Sequence, residues 1–281
     1  MKTAIVTDST AYIPQSLREQ LHIEICPLNV IFGSESYHEE LELTADDFYE
    51  KVRNVPEFPK TSQPAIGLFE QTFKNLAKKG YEAVISIHLS SGISGTFQAS
   101  VTAGGMVDEI LVYSFDSEIS CMPQGFYAIE AAEMALQGKE PKKILERLNE
   151  MKKSMRAYFM VDDLAHLQRG GRLNGAQALI GSLLQVKPIL HFEDAKIVPF
   201  EKIRTHKKAI KRILELFDED AKTGVPIKAS LIHANRLDIV EELKNQIQSE
   251  YKNVEIDISY FGAVIGTHLG EGAIGLGWYK K

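Results

Sequence analysis

The stretch Ser90-Ser91-Gly92-Ile93-Ser94-Gly95-Thr96 concentrates hydroxyls and glycines between two apolar segments. Ala83 to Leu89 before it reads as a buried strand, and Phe97 to Ala103 after it reads as a helix. A strand, a Gly/Ser turn and a helix start make an anion site. Backbone N–H groups are expected to point outward there, and the helix dipole favours negative charge. The hydroxyls add donors. Without a lysine it is no P-loop. Gly92-Ile93-Ser94 is followed by Gly95-Thr96, so glycine is missing two places after the serine and the nucleophile-elbow pattern is broken. The chemistry offered is anion holding without catalysis. An ordinary Ser/Gly turn is the competing reading.

The elements that must position this turn alternate. Thr3 to Val6 is a short strand before Thr7-Asp8-Ser9-Thr10, and Pro14 opens a helix to about His22. Ile23 to Phe32 is β-rich and broken at Pro27, and the acidic run 38–42 reads as a solvated edge. Thr44 caps a helix to about Asn54. The proline-rich segment 55–64 reads as a loop, after which Pro64 starts a helix through Leu76. Ile110 to Phe115 is a strand ending in Asp116-Ser117, and helices follow over Phe126 to Leu136 and from Pro141 to Ser154. Such alternation implies a parallel sheet. Three polar clusters, at 7–10, 90–96 and 116–117, then follow strands and converge on one crevice at the sheet's carboxyl edge.

The pattern changes near Arg156, where a boundary is placed. Tyr158 to Val161 is a strand, and a Gly/Arg turn spans Gln168 to Leu173. Residues 189–198 form a hairpin, and Thr205 to Phe217 a basic amphipathic helix. Strands at Ala229 to His233 and Val254 to Tyr260 flank a helix from Asp238, and the Gly-rich end closes with a strand lying close to its neighbours. The expected fold is α/β. A three-layer, Rossmann-like parallel-sheet domain over 1–156 precedes a mixed-sheet α/β domain over 157–281. With 281 residues and 44% apolar content, the chain can build such cores. A net charge of −6 argues against nucleic acid. Cys26 and Cys121 offer no metal spacing and no disulfide framework, which suits a cytoplasmic protein. The first residues read as a strand rather than a signal peptide, and no apolar run reaches a membrane span.

Taken together, Thr7-Asp8-Ser9-Thr10, Lys60-Thr61-Ser62-Gln63-Pro64, the Ser90–Thr96 stretch, Val161-Asp162-Asp163-Leu164, Gly171-Arg172-Leu173, Lys187-Pro188-Ile189, Arg204-Thr205 and His268-Leu269-Gly270 resemble the DegV family. They stand in the family's order along nearly the whole chain. They look most like the fatty-acid-binding subunits of bacterial fatty acid kinases. The resemblance implies one long-chain fatty acid held between two domains, with no cofactor, metal or catalytic residue. It implies that the carboxylate is presented to a separate kinase subunit, which makes the acyl phosphate for phospholipid synthesis. The matching carboxylate contacts are Thr61 and Ser94, supported by His268 and Arg172, with Ser62, Gly95 and Thr96 beside them. Arg204, His206 and Lys207 match the side that docks the kinase.

Plainer roles compete for the same residues. Thr61 and Ser62 could cap the helix after Pro64. His268 could be a structural hydrogen-bonder, and Arg172 a surface arginine aimed by two glycines. His38, His88, His166 and His191 are assigned no role. The basic run from Lys202 to Arg212 could be a solvated helix face. In an acidic protein it also suits an acidic partner or a transient contact with an anionic membrane surface. A different class of function is a serine hydrolase using Ser94, Asp116 and His268. A third is a phosphosugar-binding domain.

Overall fold

The computed structural model describes residues 1–55, 57–173 and 187–281, so Pro56 of the proline-rich segment lies outside the described residues. The first half runs β1 (Thr3–Asp8), α1 (Gln15–Leu21), β2 (Ile23–Cys26), β3 (Asn29–Phe32), β4 (Glu35–His38) and α2 (Ala45–Asn54). It continues with β5 (Lys60–Ser62), α3 (Ile66–Lys78), β6 (Ala83–His88), α4 (Thr96–Gly104), β7 (Leu111–Asp116), α5 (Cys121–Leu136) and α6 (Pro141–Ser154). The second half runs β8 (Arg156–Met160), α7 (Ala165–Arg169), β9 (Lys187–Glu193), β10 (Lys196–Ile203) and α8 (His206–Ala221). Then come β11 (Ile227–His233), α9 (Leu237–Glu250), β12 (Val254–Tyr260), α10 (Ala263–Leu269) and β13 (Ile274–Lys280).

The fold is α/β with a parallel sheet and a mixed sheet. The parallel sheet has the order β2-β1-β6-β7, and β1 and β6 are buried along their whole length. That burial on both faces is why their sequences are apolar runs rather than alternating ones. Helices α3 and α4 cover one face through Phe69, Phe73 and Ala99. The six-stranded mixed sheet has the order β10-β9-β8-β13-β11-β12. Its outer face is covered by α8 and α9 through Ile213, Phe217 and Val240. One large core fills the space between the sheets, and α5 touches β1 and β6 as well as β11 and β13. Gly277 permits this, because a Cβ there would come 2.3 Å from the Pro123 side chain. The close neighbour of the Gly-rich strand is thus a helix.

Two local expectations are overturned. Segment 55–64 is not loop throughout. Lys60–Ser62 forms β5, which pairs antiparallel with β3 in a third sheet of order β4-β3-β5. The two prolines around it hid a strand that is only three residues long. The acidic run 38–42 is not all solvated, since Glu39 is fully buried. The segment before the Gly-rich end, to which the sequence assigned no element, forms α10, whose Gly266 and β-branched Val264, Ile265 and Thr267 are weak helix formers.

The β9–β10 hairpin is where the two sheets meet the Ser90–Thr96 loop. It turns at Asp194 and Ala195, both in the left-handed region, as a two-residue turn of matching twist requires. The Ser90 hydroxyl donates to the Ala195 carbonyl. A Cβ on Gly92 would lie 2.2 Å from that same carbonyl oxygen. Backbone meeting backbone cannot yield as a side chain can. Gly92→Ala is therefore expected to cost about 1–3 kcal/mol by overpacking. Thermal unfolding and limited proteolysis near residues 193–196 check this, and parental behaviour in both would remove Gly92 from the contact.

Candidate functional site

The carboxyl edge of the parallel sheet is built on a buried polar network. The Asp8 carboxylate accepts from the Thr10 N–H at 3.1 Å, the Leu89 N–H at 3.0 Å and His88 Nδ1 at 3.0 Å. His88 Nε2 lies 2.6 Å from the Ser86 hydroxyl, and Gln124 links Thr7 and Thr10. Burial of these groups is tolerable because each finds a partner. Asp8 thereby ties the end of β1 to the residue that launches the Ser90–Thr96 loop. His88 is structural, a role that sequence position alone did not suggest.

The loop itself differs from the expected cradle of outward N–H groups. The Ser91 N–H donates to Asp116 Oδ1 at 3.1 Å, the Gly92 N–H to Ser90 Oγ at 3.2 Å, and the Ile93 and Ser94 N–H groups to the Ser90 carbonyl. The Thr96 N–H donates to Ser94 Oγ at 3.3 Å. Those five donors shape the turn, and the Ser94 side chain is left to face a ligand. Ser94 Oγ, 2.8 Å from Thr96 Oγ1, is the exposed end of that pair.

Beside Ser94 a cavity opens between the sheets. Its wall is mainly apolar, with Leu89, Phe159, Ile197, Ile232 and Val264 among its members. Thr61, Ser94, Arg172 and His268 also line it. The structure therefore brings these four predicted residues together. Ser62, Gly95 and Thr96 do not line it. Strand alternation turns Ser62 away from Thr61, and its hydroxyl accepts from Asn29 Nδ2 at 3.1 Å. Gly95 lies under the Gln63 side chain, and Thr96 is fully buried behind Ser94. Neither Thr61 nor Ser62 caps α3, whose N-cap is Ala65. Ser120 and Cys121 also line the cavity. Their only sequence signal was a place shortly after the polar end of β7.

Thr61 Oγ1 lies 2.8 Å from His268 Nε2, joining β5 to the last turn of α10. His268 is nine-tenths buried. Burial, the Arg172 guanidinium and His166 together push its pKa down to about 3. The ring is therefore neutral across the physiological range. Its Nδ1 faces Gly170, where a Cβ would come within 2.2 Å, and has no hydrogen-bond partner among the described residues. Arg172 is aimed by Gly171, which sits at φ +70°. Its Nε donates to the Ile93 carbonyl at 3.0 Å, and Nη1 reaches the Gly170 carbonyl. The guanidinium thus clamps the Ser94 loop and leaves a fixed positive charge at the cavity's polar end.

The hydrolase constellation is not assembled. His268 Nε2 is bonded to Thr61, and Asp116 receives backbone N–H groups of Ser91 and Glu118. The basic run also divides. Arg212 pairs with Glu201 at 2.9 Å and with Glu215, and Lys211 with Glu215. His206 Nε2 is 4.0 Å from Asp162. Arg204 and Lys207 are exposed and form no ion pair among the described residues. Among those residues no helix is long and apolar enough to cross a membrane, and no side-chain cluster fits a metal ion.

Fold and site define a class: an α/β protein whose two larger sheets flank an apolar cavity with a polar end of hydroxyls, a neutral imidazole and one guanidinium. The chain belongs to the DegV family, whose profile, described as "Uncharacterised protein, DegV family", matches residues 2–281. It is 60% identical over 282 residues to protein DegV of Bacillus subtilis, covering 100% of both chains. The crystal structure of that Bacillus subtilis DegV, described as a fatty acid binding protein, superposes with a TM-score of 0.96 at 60% identity, over 100% of each chain. A Thermus thermophilus DegV family protein, described by its fatty acid binding, matches at 31% identity and TM-score 0.93, also over 100% of each. A fatty acid binding DegV family protein from Streptococcus agalactiae matches at 33% identity and TM-score 0.91, over 100% of this chain and 99% of that one.

The depressed pKa gives a direct expectation. In an NMR titration the His268 ring should stay neutral from pH 8 down to about 4.5, where an exposed histidine would have protonated near 6.5. Protonation of His268 near pH 6.5 would show that its ring meets water.

Proposed function

We propose that this protein binds one long-chain fatty acid and presents its carboxylate to a separate kinase subunit, which forms the acyl phosphate for phospholipid synthesis. The single observation that carries the reading is the cavity: a mainly apolar space between the sheets whose polar wall residues include Thr61, Ser94, Arg172 and His268. A mainly apolar cavity with a few convergent polar groups is the usual form of a small-molecule site. The relatives described as fatty acid binding support the choice of ligand. In this reading the protein is a cytoplasmic carrier and not itself an enzyme. Residues 1–156 carry the carboxylate cradle of Thr61 and Ser94, and residues 157–281 cover the ligand, supply Arg172 and His268 to its polar end and carry the docking strip of Arg204, His206 and Lys207. Contact with a membrane surface is transient, during lipid exchange.

The chemistry follows from charge and donor count. Arg172 offsets the carboxylate's charge, and neutral His268 leaves that balance intact. A neutral imidazole has one N–H. With its proton on Nε2, the ring donates to Thr61 Oγ1 and frees the Thr61 hydroxyl proton for the ligand. Ser94 donates beside it. A 16-carbon chain buries about 14 methylenes at about 0.8 kcal/mol each, a gross term of roughly 11 kcal/mol. Ordering the chain offsets much of that. A hydroxyl bond to a carboxylate contributes about 1.5–3 kcal/mol. The tail thus drives binding, and Thr61 with Ser94 fixes where the carboxylate points.

Organic extraction of purified protein followed by mass spectrometry should release a long-chain acid, and its absence would sink the reading. Ser94→Ala should retain measurable lipid but bind it roughly tenfold to a hundredfold more weakly. Its acyl-phosphate formation at saturating fatty acid should fall further than its occupancy, because the nucleophile is no longer aimed. Parental values in both would show that Ser94 does not hold the carboxylate. Reversing Arg204 and Lys207 to Glu should leave lipid content unchanged while weakening association with the kinase. Raised salt should weaken the unmutated pair too. Kinetics indifferent to both changes would remove the strip from the interface.

A further inference from the structure

Glu39 takes no part in holding the ligand, yet it is fully buried. A lone buried carboxylate is costly unless its oxygens are satisfied. Here both are. Oε2 accepts from the Ser9 hydroxyl at 2.6 Å. Oε1 accepts from the Tyr12 hydroxyl at 2.9 Å and from the Val264 N–H at 2.7 Å. That N–H is one of the orphan donors at the start of α10. Tyr12 Oη also receives the Ile265 N–H at 3.4 Å.

Glu39 touches two pieces of cavity wall, α10 through its carboxylate and Leu28 through its backbone N–H and by way of Ser9. Val264, Ile265, His268 and Leu269 of α10 line the cavity, and His268 lies one helical turn beyond Val264. Leu28 lines it too. The Leu28 N–H donates to Ser9 Oγ at 3.1 Å, and the Glu39 N–H donates to the Leu28 carbonyl at 2.9 Å. Gly262 lets α10 approach, because a Cβ there would lie 2.3 Å from the Tyr12 ring and 3.0 Å from Glu39 Oε1.

We propose that Glu39 is a positioning residue of the cavity: by holding the start of α10 and Leu28 it places His268 against Thr61 and sets how fast a bound fatty acid leaves. This role rests on the fatty-acid reading given above. The carboxylate acts through Val264 and the helix rather than on the ligand.

The surroundings give the role a signature in pH. Tyr12 faces Glu39 from the turn after β1, Glu40 lies beside it, and its charge is felt by Tyr49 of α2 and Tyr260 at the end of β12. Cys121 at the start of α5 feels it too, and Arg18 of α1 faces Glu40. Burial, partly offset by the bonds from Ser9, Val264 and Tyr12, pushes the Glu39 pKa up to about 7. With α10 swung away the carboxyl would meet water and return toward 4.5. The closed wall therefore binds the proton more tightly than the open one. Closure is favoured at low pH and weakens as pH rises from about 4.5 to 7. His268 stays neutral over that range and adds no slope. His166 and the ligand's own carboxyl do titrate nearby, so the parent must be compared with a variant that lacks only the Glu39 proton.

The experiment loads the full chain with cis-parinaric acid, a fluorescent long-chain fatty acid, and follows its release to an albumin trap at pH 5.5 and pH 8. The parent should release the probe roughly tenfold faster at the higher pH. Glu39→Gln keeps the shape but not the proton, and should flatten that ratio to about one. Glu39→Ala should release roughly tenfold faster than the parent at pH 5.5. If the alanine variant fails to fold, the glutamine ratio decides alone. A glutamine variant that keeps the parental ratio overturns the role while leaving fatty-acid binding standing. A parent that takes up no probe overturns the fatty-acid reading and this role with it.

Discussion

The hydrogen bond between Thr61 and His268 is the joint on which the site depends. It ties residues 207 positions apart, on a three-residue strand and a seven-residue helix. Neither element is stable alone at such a length. Each must be held by something larger. β5 is held by β3, where Thr61 pairs with Val30, and α10 by packing on α2, α7 and β3 and by the Glu39 carboxylate. The bond is thus a test of whether the third sheet and the C-terminal part of the chain have come together correctly.

A cavity inside a core carries a penalty, because its wall atoms lack packing partners until a ligand supplies them. This one lies within the core shared by the two sheets. Its walls are fixed from outside by polar groups. Asp8 and His88 fix the loop at the parallel sheet's edge, Arg172 clamps that loop to the α7 turn, and Glu39 fixes α10. Directional bonds can hold a wall in place where apolar contact alone would let it collapse. The polar groups deep in the protein are thus spent on geometry, and few are offered to the ligand.

Electrostatics at the polar end follows the same division. Arg172 contributes a permanent charge, half-buried and fixed by carbonyl acceptors. His268 contributes a neutral imidazole, because burial beside that guanidinium excludes a second ring proton. A charged imidazole there would add a second cation for a single carboxylate and would have to be desolvated as well. One cation and neutral donors are what a monoanion with an apolar tail requires.

The sequence by itself determined what is local. The apolar runs of β1 and β6, the Thr44 cap, Pro141 at a helix start and the alternation of strands and helices are properties of neighbouring residues, and they identified the parallel sheet and the mixed sheet. The motif order pointed to Thr61, Ser94, Arg172 and His268. What only the tertiary structure decided is which donors remain free and which acids are buried. The N–H groups of Ser91 to Ser94 could have faced a ligand, but Asp116 and Ser90 took them. Glu39 stands in an acidic run that any pattern assigns to solvent, yet its partners come from Ser9, Tyr12 and Val264. The physical reason is common to both. A hydrogen-bond partner or a buried environment supplied by a residue far along the chain leaves no periodicity, spacing or composition near the group it satisfies. Such matches exist only once the fold has closed.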